Sequence, residues 1–387
     1  MKDYHNICVT LPFIVDRLKY IMNLLRILLV ISVFQLQGQN TIDPNYFSNP
    51  LEIPMILSGS FGELRNNHFH SGLDIKTQQR SGVPIYAPAD GYVSRIKVGH
   101  YGYGKALYIK HPNGYSTVYA HLQKFEANIQ DYVKQNQYKK ERYEIELFPK
   151  QSLLLVKKGD LIAYTGNSGS SGGPHLHYEI RDSYSRPMNP MLFGLEIPDT
   201  KAPSVTSVFA YPVGDDATVN QSREPVKLRL IKQKDGTYKT EKISAYGKIG
   251  FGIAATDQQN GAYNKNGVYR INTSYNGKPK IDIAFEKFSF DETRYLNRYI
   301  DYTYFKDHKI KIQKLFRQTN NPLSIIQQED DNGFVNIADG FSSNYTIDIK
   351  DYQENLTQIT IPVIGKRDSL VVKEQAPKDL QYIPSAT

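Results

Sequence analysis

Residues 172–182 read GGPHLHYEIRD, and His175 and His177 flank a single leucine there. Leu176, Tyr178 and Ile180 alternate with His175, His177 and Glu179, which is the period of a strand. Residues two apart on a strand share a face. The two imidazoles are thus expected side by side, with Leu176 and Tyr178 turned toward a core. A second cluster, NNHFHSGLDIKT, carries His70 and, four residues on, Asp74, with Gly72 between them to permit a sharp local backbone. A third signal is His121 in YAHL. Two neutral imidazoles and a carboxylate make a catalytic zinc set with a fourth position left for water. Further histidines beside such a metal can move a proton or stabilise an oxyanion. One histidine alone in a strand is ordinarily a surface or core residue; the weight here lies in the three signals together. Among the others, His68 is two residues from His70 and could share its face, whereas His111 in HPNG and His100 beside YGYG read as structural.

The elements that must hold these residues are short strands. From Asn40 to about Pro198, runs such as VPIYAPADGYVSRIKV, KALYIKHPNGYSTVYAHL and LIAYTGNSG are separated by Gly, Pro and Asn turns. The pattern predicts an all-β fold with a closed or nearly closed sheet. A polar, locally helix-like stretch interrupts it at about residues 124–151. EIPDTKAPSV around Asp199 reads as a linker. Beyond it VKLRLIKQ, GVYRINTSY, YTIDIKD and TQITIPVIGK predict an antiparallel β-sandwich over residues 199–366, followed by a polar tail at 367–387. DQQNGAYNKNG has too few acids for a calcium loop and reads as a turn.

The chain has 387 residues, enough for two or three domains, and a formal charge of +8 without a basic stripe of the kind nucleic acid demands. Residues 1–39 read as a secretory signal, with Arg26 ahead of an apolar run from Ile27 to Phe34 and with Met22 as the expected true start. That run is too short to span a membrane, so a mature N-terminus near Asn40 and no mature membrane span are expected. The single cysteine, Cys8, lies inside this segment. No thiolate is then left for catalysis or zinc, as suits an exported protein in the periplasm, the cell envelope or the medium.

Residues 57–182 resemble the lysostaphin/LytM-type zinc endopeptidases, which cut the peptides of bacterial peptidoglycan. The match is carried by FGELRNNHFHSGLDIKT, GVPIYAPADGYV, YGYGKALYIKHPNGYSTVYAHL and VKKGDLIAYTGNSGSSGGPHLHYEIRD. The resemblance implies a peptidase domain over 40–198, zinc bound by His70, Asp74 and His177, and His121 and His175 as the catalytic pair, without saying which of them is the base. It implies a peptidoglycan peptide as substrate, with GNSGSSGGP, Tyr101 and Tyr103 expected along its groove. The family passes quickly from YAHL to VKKGD, so 124–151 is an insertion here, either a surface elaboration or a lid. The region from Asp199 resembles immunoglobulin-like sandwiches, and a wall or protein contact through it is compatible with catalysis. Two rivals are a catalytically silent relative that activates wall hydrolases and a biotinyl- or lipoyl-type carrier. The first usually lacks zinc ligands, and the second needs a lysine at a hairpin tip that this sequence does not offer.

Overall fold

The computed structural model describes residues 42–367 together with Met22. The expected signal segment and the tail beyond Arg367 lie outside the described residues. Strands dominate. In chain order they are β1 (Leu57–Gly59), β2 (Leu73–Lys76), β3 (Pro84–Tyr86), β4 (Gly91–Val98), β5 (Lys105–Lys110), β6 (Ser116–Ala120), β7 (Lys124–Phe125), β8 (Ile145–Leu147), β9 (Leu155–Val156), β10 (Leu161–Tyr164), β11 (His175–Arg181) and β12 (Pro187–Met188). The main sheet runs β1-β2-β11-β6-β5-β4-β8, with β12 and β9 added at its sides, and β3-β10-β7 form a second, smaller sheet.

Alternation explains the core. Leu73 and Ile75 from β2, Leu107 and Ile109 from β5, Val118 from β6, and Leu176, Tyr178 and Ile180 from β11 are all fully buried. Each such side chain contributes roughly 1.5–3 kcal/mol by leaving water. The strand that carries His175 and His177, and those that flank it, are therefore anchored in the core.

The polar stretch after β7 does form a helix, α1 (Ala127–Lys140). Only Ile129 and Val133, four residues apart, are buried along it, so one narrow stripe docks it. Glu126 caps its start by accepting the Asn128 N–H at 3.0 Å. Lys139 and Lys140 lie in its last turn, where the helix dipole favours cations. The segment then returns as β8 and pairs with β4, Ile96 opposite Leu147. This segment thus extends the main sheet instead of hanging free.

Past the linker, strands between Ser204 and Gly365 join in one network of 12, so the chain is all-β throughout. Most pairings are antiparallel, but Leu356–Gly365 runs parallel to Ile243–Thr256 and to Tyr238–Thr240. Parallel neighbours need a long crossover, and the hundred or so residues between Thr256 and Leu356 supply one. Residues 44–367 belong to a single unit. The Gln259 side chain accepts the Leu57 N–H at 2.8 Å and donates to the Met55 carbonyl at 2.9 Å. Phe69 packs against Phe285 and Phe288 and donates its N–H to Thr293 Oγ1 at 2.8 Å. No helix of the described residues is long and apolar enough to cross a membrane.

Candidate metal centre

Three adjacent strands build the site. In β11, His177 stands opposite Asp74 of β2 on one side and Ala120 of β6 on the other. His121 follows directly after β6. His70 arrives from a tight hairpin in which Leu64 bridges Phe69, and its N–H donates to the Glu63 carbonyl at 2.9 Å. Gly72 matters for a reason other than a sharp bend. Its backbone is not left-handed, but a Cβ there would stand 2.3 Å from the Tyr178 carbonyl oxygen, so only glycine lets this segment lie against β11.

His70 Nε2, His177 Nδ1 and Asp74 Oδ1 meet at one point. The separations are 3.0 Å from His70 to Asp74, 2.9 Å from His177 to Asp74 and 3.1 Å between the two imidazoles. The partners behind them fix which nitrogens carry hydrogen. His70 Nδ1 faces the Ser60 carbonyl at 2.8 Å, and His177 Nε2 faces Glu179 Oε1 at 2.9 Å. A carbonyl and a carboxylate only accept, so each of those nitrogens donates and the opposite nitrogen of each neutral ring presents a lone pair. With both rings neutral, three lone pairs would converge without a hydrogen between them, a repulsion that either a proton on His177 or a bound cation relieves. Zinc bonds of 2.0–2.1 Å would set such ligand atoms about 3.3 Å apart, close to the spacing found. His70, Asp74 and His177 fit the metal by chemistry and by distance.

Electrostatics agree. Burial opposes charge on Asp74, but His70, His175 and His177 outweigh it and hold the carboxyl well below its usual range. Burial likewise opposes a charged His177, and Asp74 and Glu179 overcome it, raising the ring to about 9. The pocket draws positive charge. Arg65 Nη2 donates to Asp74 Oδ2 at 2.9 Å and so occupies the carboxylate's other oxygen.

His175 and His121 stand beside this group. His175 Nε2 is 3.4 Å from Asp74 Oδ1, so both histidines of HLH reach one carboxylate oxygen from one face of β11. The ring centroids of His121 and His175 are 4.8 Å apart. Each has its Nδ1 2.8 Å from a carbonyl, Ser168 for His121 and Gly173 for His175. Each therefore keeps its Nε2 free of hydrogen when neutral. Burial lowers His121 to about 4, against the Ser168 carbonyl. His121 also has a left-handed backbone, φ +59, uncommon for a side-chain-bearing residue.

The glycine-rich GNSGSSGGP thus supplies the two carbonyls that fix these tautomers. It packs backbone to backbone on the YGYG turn, where a Cβ on Gly104 would meet Gly169 N at 2.4 Å. Tyr101 is exposed at the tip of that turn. Tyr103 turns inward and donates to Glu179. His68 is exposed and outside the group. His100 stacks on Tyr143, and buried His111 bridges the Asp90 carbonyl and Thr117.

Glu179 had no role in the sequence reading, although it falls on the same alternation as His175 and His177. Fully buried, it accepts from His177, from Ser71 Oγ at 2.7 Å, from Tyr103 and from Arg181 Nε at 2.5 Å. Burial would neutralise it, but Arg181 and His177 keep it charged. Only the fold reveals that four donors surround it.

The sequence profile of peptidase family M23 matches residues 68–138 and 151–190, skipping the end of α1 and all of β8. Over these two segments the chain is similar to peptidase family M23. Among curated relatives, the DD-carboxypeptidase/endopeptidase Mpg of Neisseria meningitidis serogroup B is 31% identical over 172 residues, covering 43% of this chain and 32% of the relative. The peptidoglycan DD-endopeptidase ShyB of Vibrio cholerae is 31% identical over 160 residues, covering 41% and 31%. The chain thus matches about a third of the length of these relatives. Among solved structures, a zinc-containing peptidase from Vibrio cholerae is 27% identical, with a TM-score of 0.29 over 40% of this chain and 41% of that one. The catalytic domain of lysostaphin from Staphylococcus simulans is 20% identical, with a TM-score of 0.27 over 36% and 91%. All the histidines and the aspartate of the site lie in the two matched segments.

Proposed function

We propose that this protein is an exported zinc metalloendopeptidase that hydrolyses peptide bonds in the cross-links or stem peptides of bacterial peptidoglycan. The observation that carries the reading is the convergence of His70 Nε2, Asp74 Oδ1 and His177 Nδ1 on one point, beside the rings of His121 and His175. The relatives named peptidoglycan DD-endopeptidases support the substrate class.

Bound by those three residues, zinc would supply Lewis acidity, polarising the scissile carbonyl and making water acidic. His121 and His175 do the proton work. With Nδ1–H of each tied to a carbonyl, the free Nε2 can take a proton from the attacking water and return it to the leaving amine. The same rings, once protonated, donate to the developing oxyanion. The Ser168 and Gly173 carbonyls stabilise that protonated state from behind. Glu179 and Arg65 hold His177 and Asp74 in place and touch no substrate.

Zinc content measured beside the rate of peptide release from purified peptidoglycan tests these assignments. His177→Ala should lose zinc. His121→Ala and His175→Ala should keep about one zinc per chain and lose roughly 10²–10⁴-fold in turnover. Zinc loss in His175→Ala with retention in His177→Ala would reverse the roles. Full turnover in both His121→Ala and His175→Ala would remove the mechanism. Mass analysis of the released fragments identifies the bond cut.

A further inference from the structure

Remote from the histidines, the fold brings together three carboxylates that the sequence keeps far apart. Asp199 lies in the linker, Asp257 opens the DQQNGAYNKNG turn, and Asp351 follows the strand Ser342–Lys350. Each offers an oxygen within 4.8 Å of the others. No salt bridge involves any of the three among the described residues, and burial together with the neighbouring acids pushes Asp257 up to about 7 and raises Asp351. Asp351 is 2% exposed and accepts the N–H and side-chain amide of Asn355, at 2.8 and 2.7 Å, with a further backbone hydrogen bond from Gln353. Asp199 Oδ1 accepts the N–H groups of Lys201 and Asn260 at 3.1 and 3.2 Å.

Asp257 is the decisive member. The residue is 8% exposed, and its Oδ1 is sealed from solvent without a hydrogen-bond partner. Leaving such an acceptor unmade is costly, and three carboxylates side by side compound the cost. All three line one cavity of about 40 Å³, together with Ser60, Asn189 and Gln259. The donors are all oxygen, which selects a hard cation over zinc. Oxygens on opposite sides of a Ca²⁺ ion stand about 4.6–5.2 Å apart at its usual bond lengths, and the observed spread fits within that span.

We propose that Asp199, Asp257 and Asp351 bind a divalent cation of calcium size at the junction between the M23-like region and the C-terminal sheet. The sequence reading of this turn lacked acids because two of the three come from other segments. The ion adds a bond between the linker and two loops of the C-terminal sheet. Gln259, two residues past Asp257, passes that restraint to Leu57 of β1, the strand paired with Asp74-bearing β2.

Thermal unfolding of the full chain tests the proposal without any need for activity. Zinc-loaded protein in calcium-free buffer near neutral pH is titrated with CaCl₂, with MgCl₂ in parallel. About 1 mM CaCl₂ should raise Tm by ~5 °C, and MgCl₂ should do less. Asp257→Asn removes a charge from a repelling trio, so it should melt no lower than the calcium-free parent and ignore calcium. Asp351→Asn should ignore calcium as well. Calcium indifference of the parent chain, a response to magnesium alone, or an undiminished response in both variants would each overturn the proposal. So would a parent chain that ignores calcium but gains stability as pH falls from about 8 to 6, because the trio would then share a proton in place of an ion.

Discussion

Glu179→Gln changes one atom of a fully buried side chain and should weaken a metal that Glu179 does not touch. Oε1 accepts from His177, Ser71 and Tyr103, while Oε2 accepts from Arg181. A carboxamide has only one oxygen. With its nitrogen at the Oε1 position it would face three donors; at the Oε2 position it faces only the guanidinium. The second placement is less costly, so His177 keeps an acceptor, now neutral, and Arg181 loses its partner. The Arg181 side chain is 12% exposed, and breaking a largely buried pair costs about 3–5 kcal/mol. The lower end applies, because some water can reach the guanidinium. Weakening the carboxylate behind a metal-bound histidine typically costs 10–100-fold in affinity, or about 1.4–2.7 kcal/mol. Competition against a chromophoric zinc chelator measures this directly, with circular dichroism to establish folding. The expected result is a folded, less stable protein whose zinc Kd rises 10–100-fold and whose activity returns at saturating zinc. A folded Glu179→Gln protein with zinc affinity within about twofold of the parent would refute the role assigned to this carboxylate.

His111 predicts a pH dependence. Burial lowers its pKa from 6.5 to about 4 in the folded chain, against the Asp90 carbonyl, so the unfolded chain takes up the proton first. Its contribution is complete above about pH 6.5 and is lost as pH falls through 4, to the extent of about 3 kcal/mol. Urea unfolding should show that slope, and His111→Asn should remove it; an unchanged slope would contradict the assignment. Phe288 is 1% exposed against Phe61 and Phe69, so Phe288→Ala should cost about 3–5 kcal/mol. Because Phe69 precedes His70, zinc affinity should fall with it; a Tm loss without any zinc effect would show that the C-terminal sheet does not brace the hairpin. Gly72→Ala drives a methyl into the Tyr178 carbonyl and should cost about 1–3 kcal/mol, read as a lower urea midpoint.

Local pattern was enough for many of the strands. The alternation in β11 placed Leu176 and Tyr178 in the core and His175 and His177 on one face, because side-chain direction along a strand has a fixed period. The polar composition of 124–151 marked a helix docked by only two buried residues. Residue type limited the metal donors to imidazole and carboxylate. Whether donors converge is a different kind of fact, since it depends on strand order and register. His177 meets Asp74 because β11 lies between β2 and β6, a pairing across a hundred residues that no local period encodes. The tautomers that turn three polar atoms into a cation trap are set by Ser60 and Glu179, and the basic nitrogens of His121 and His175 by Ser168 and Gly173. Gly72 was legible as a glycine, but the Tyr178 carbonyl that requires it belongs to another strand. The trio of Asp199, Asp257 and Asp351 is the extreme case: each acid is unremarked in its own segment, and only the closing of the C-terminal sheet onto the linker brings their charges together.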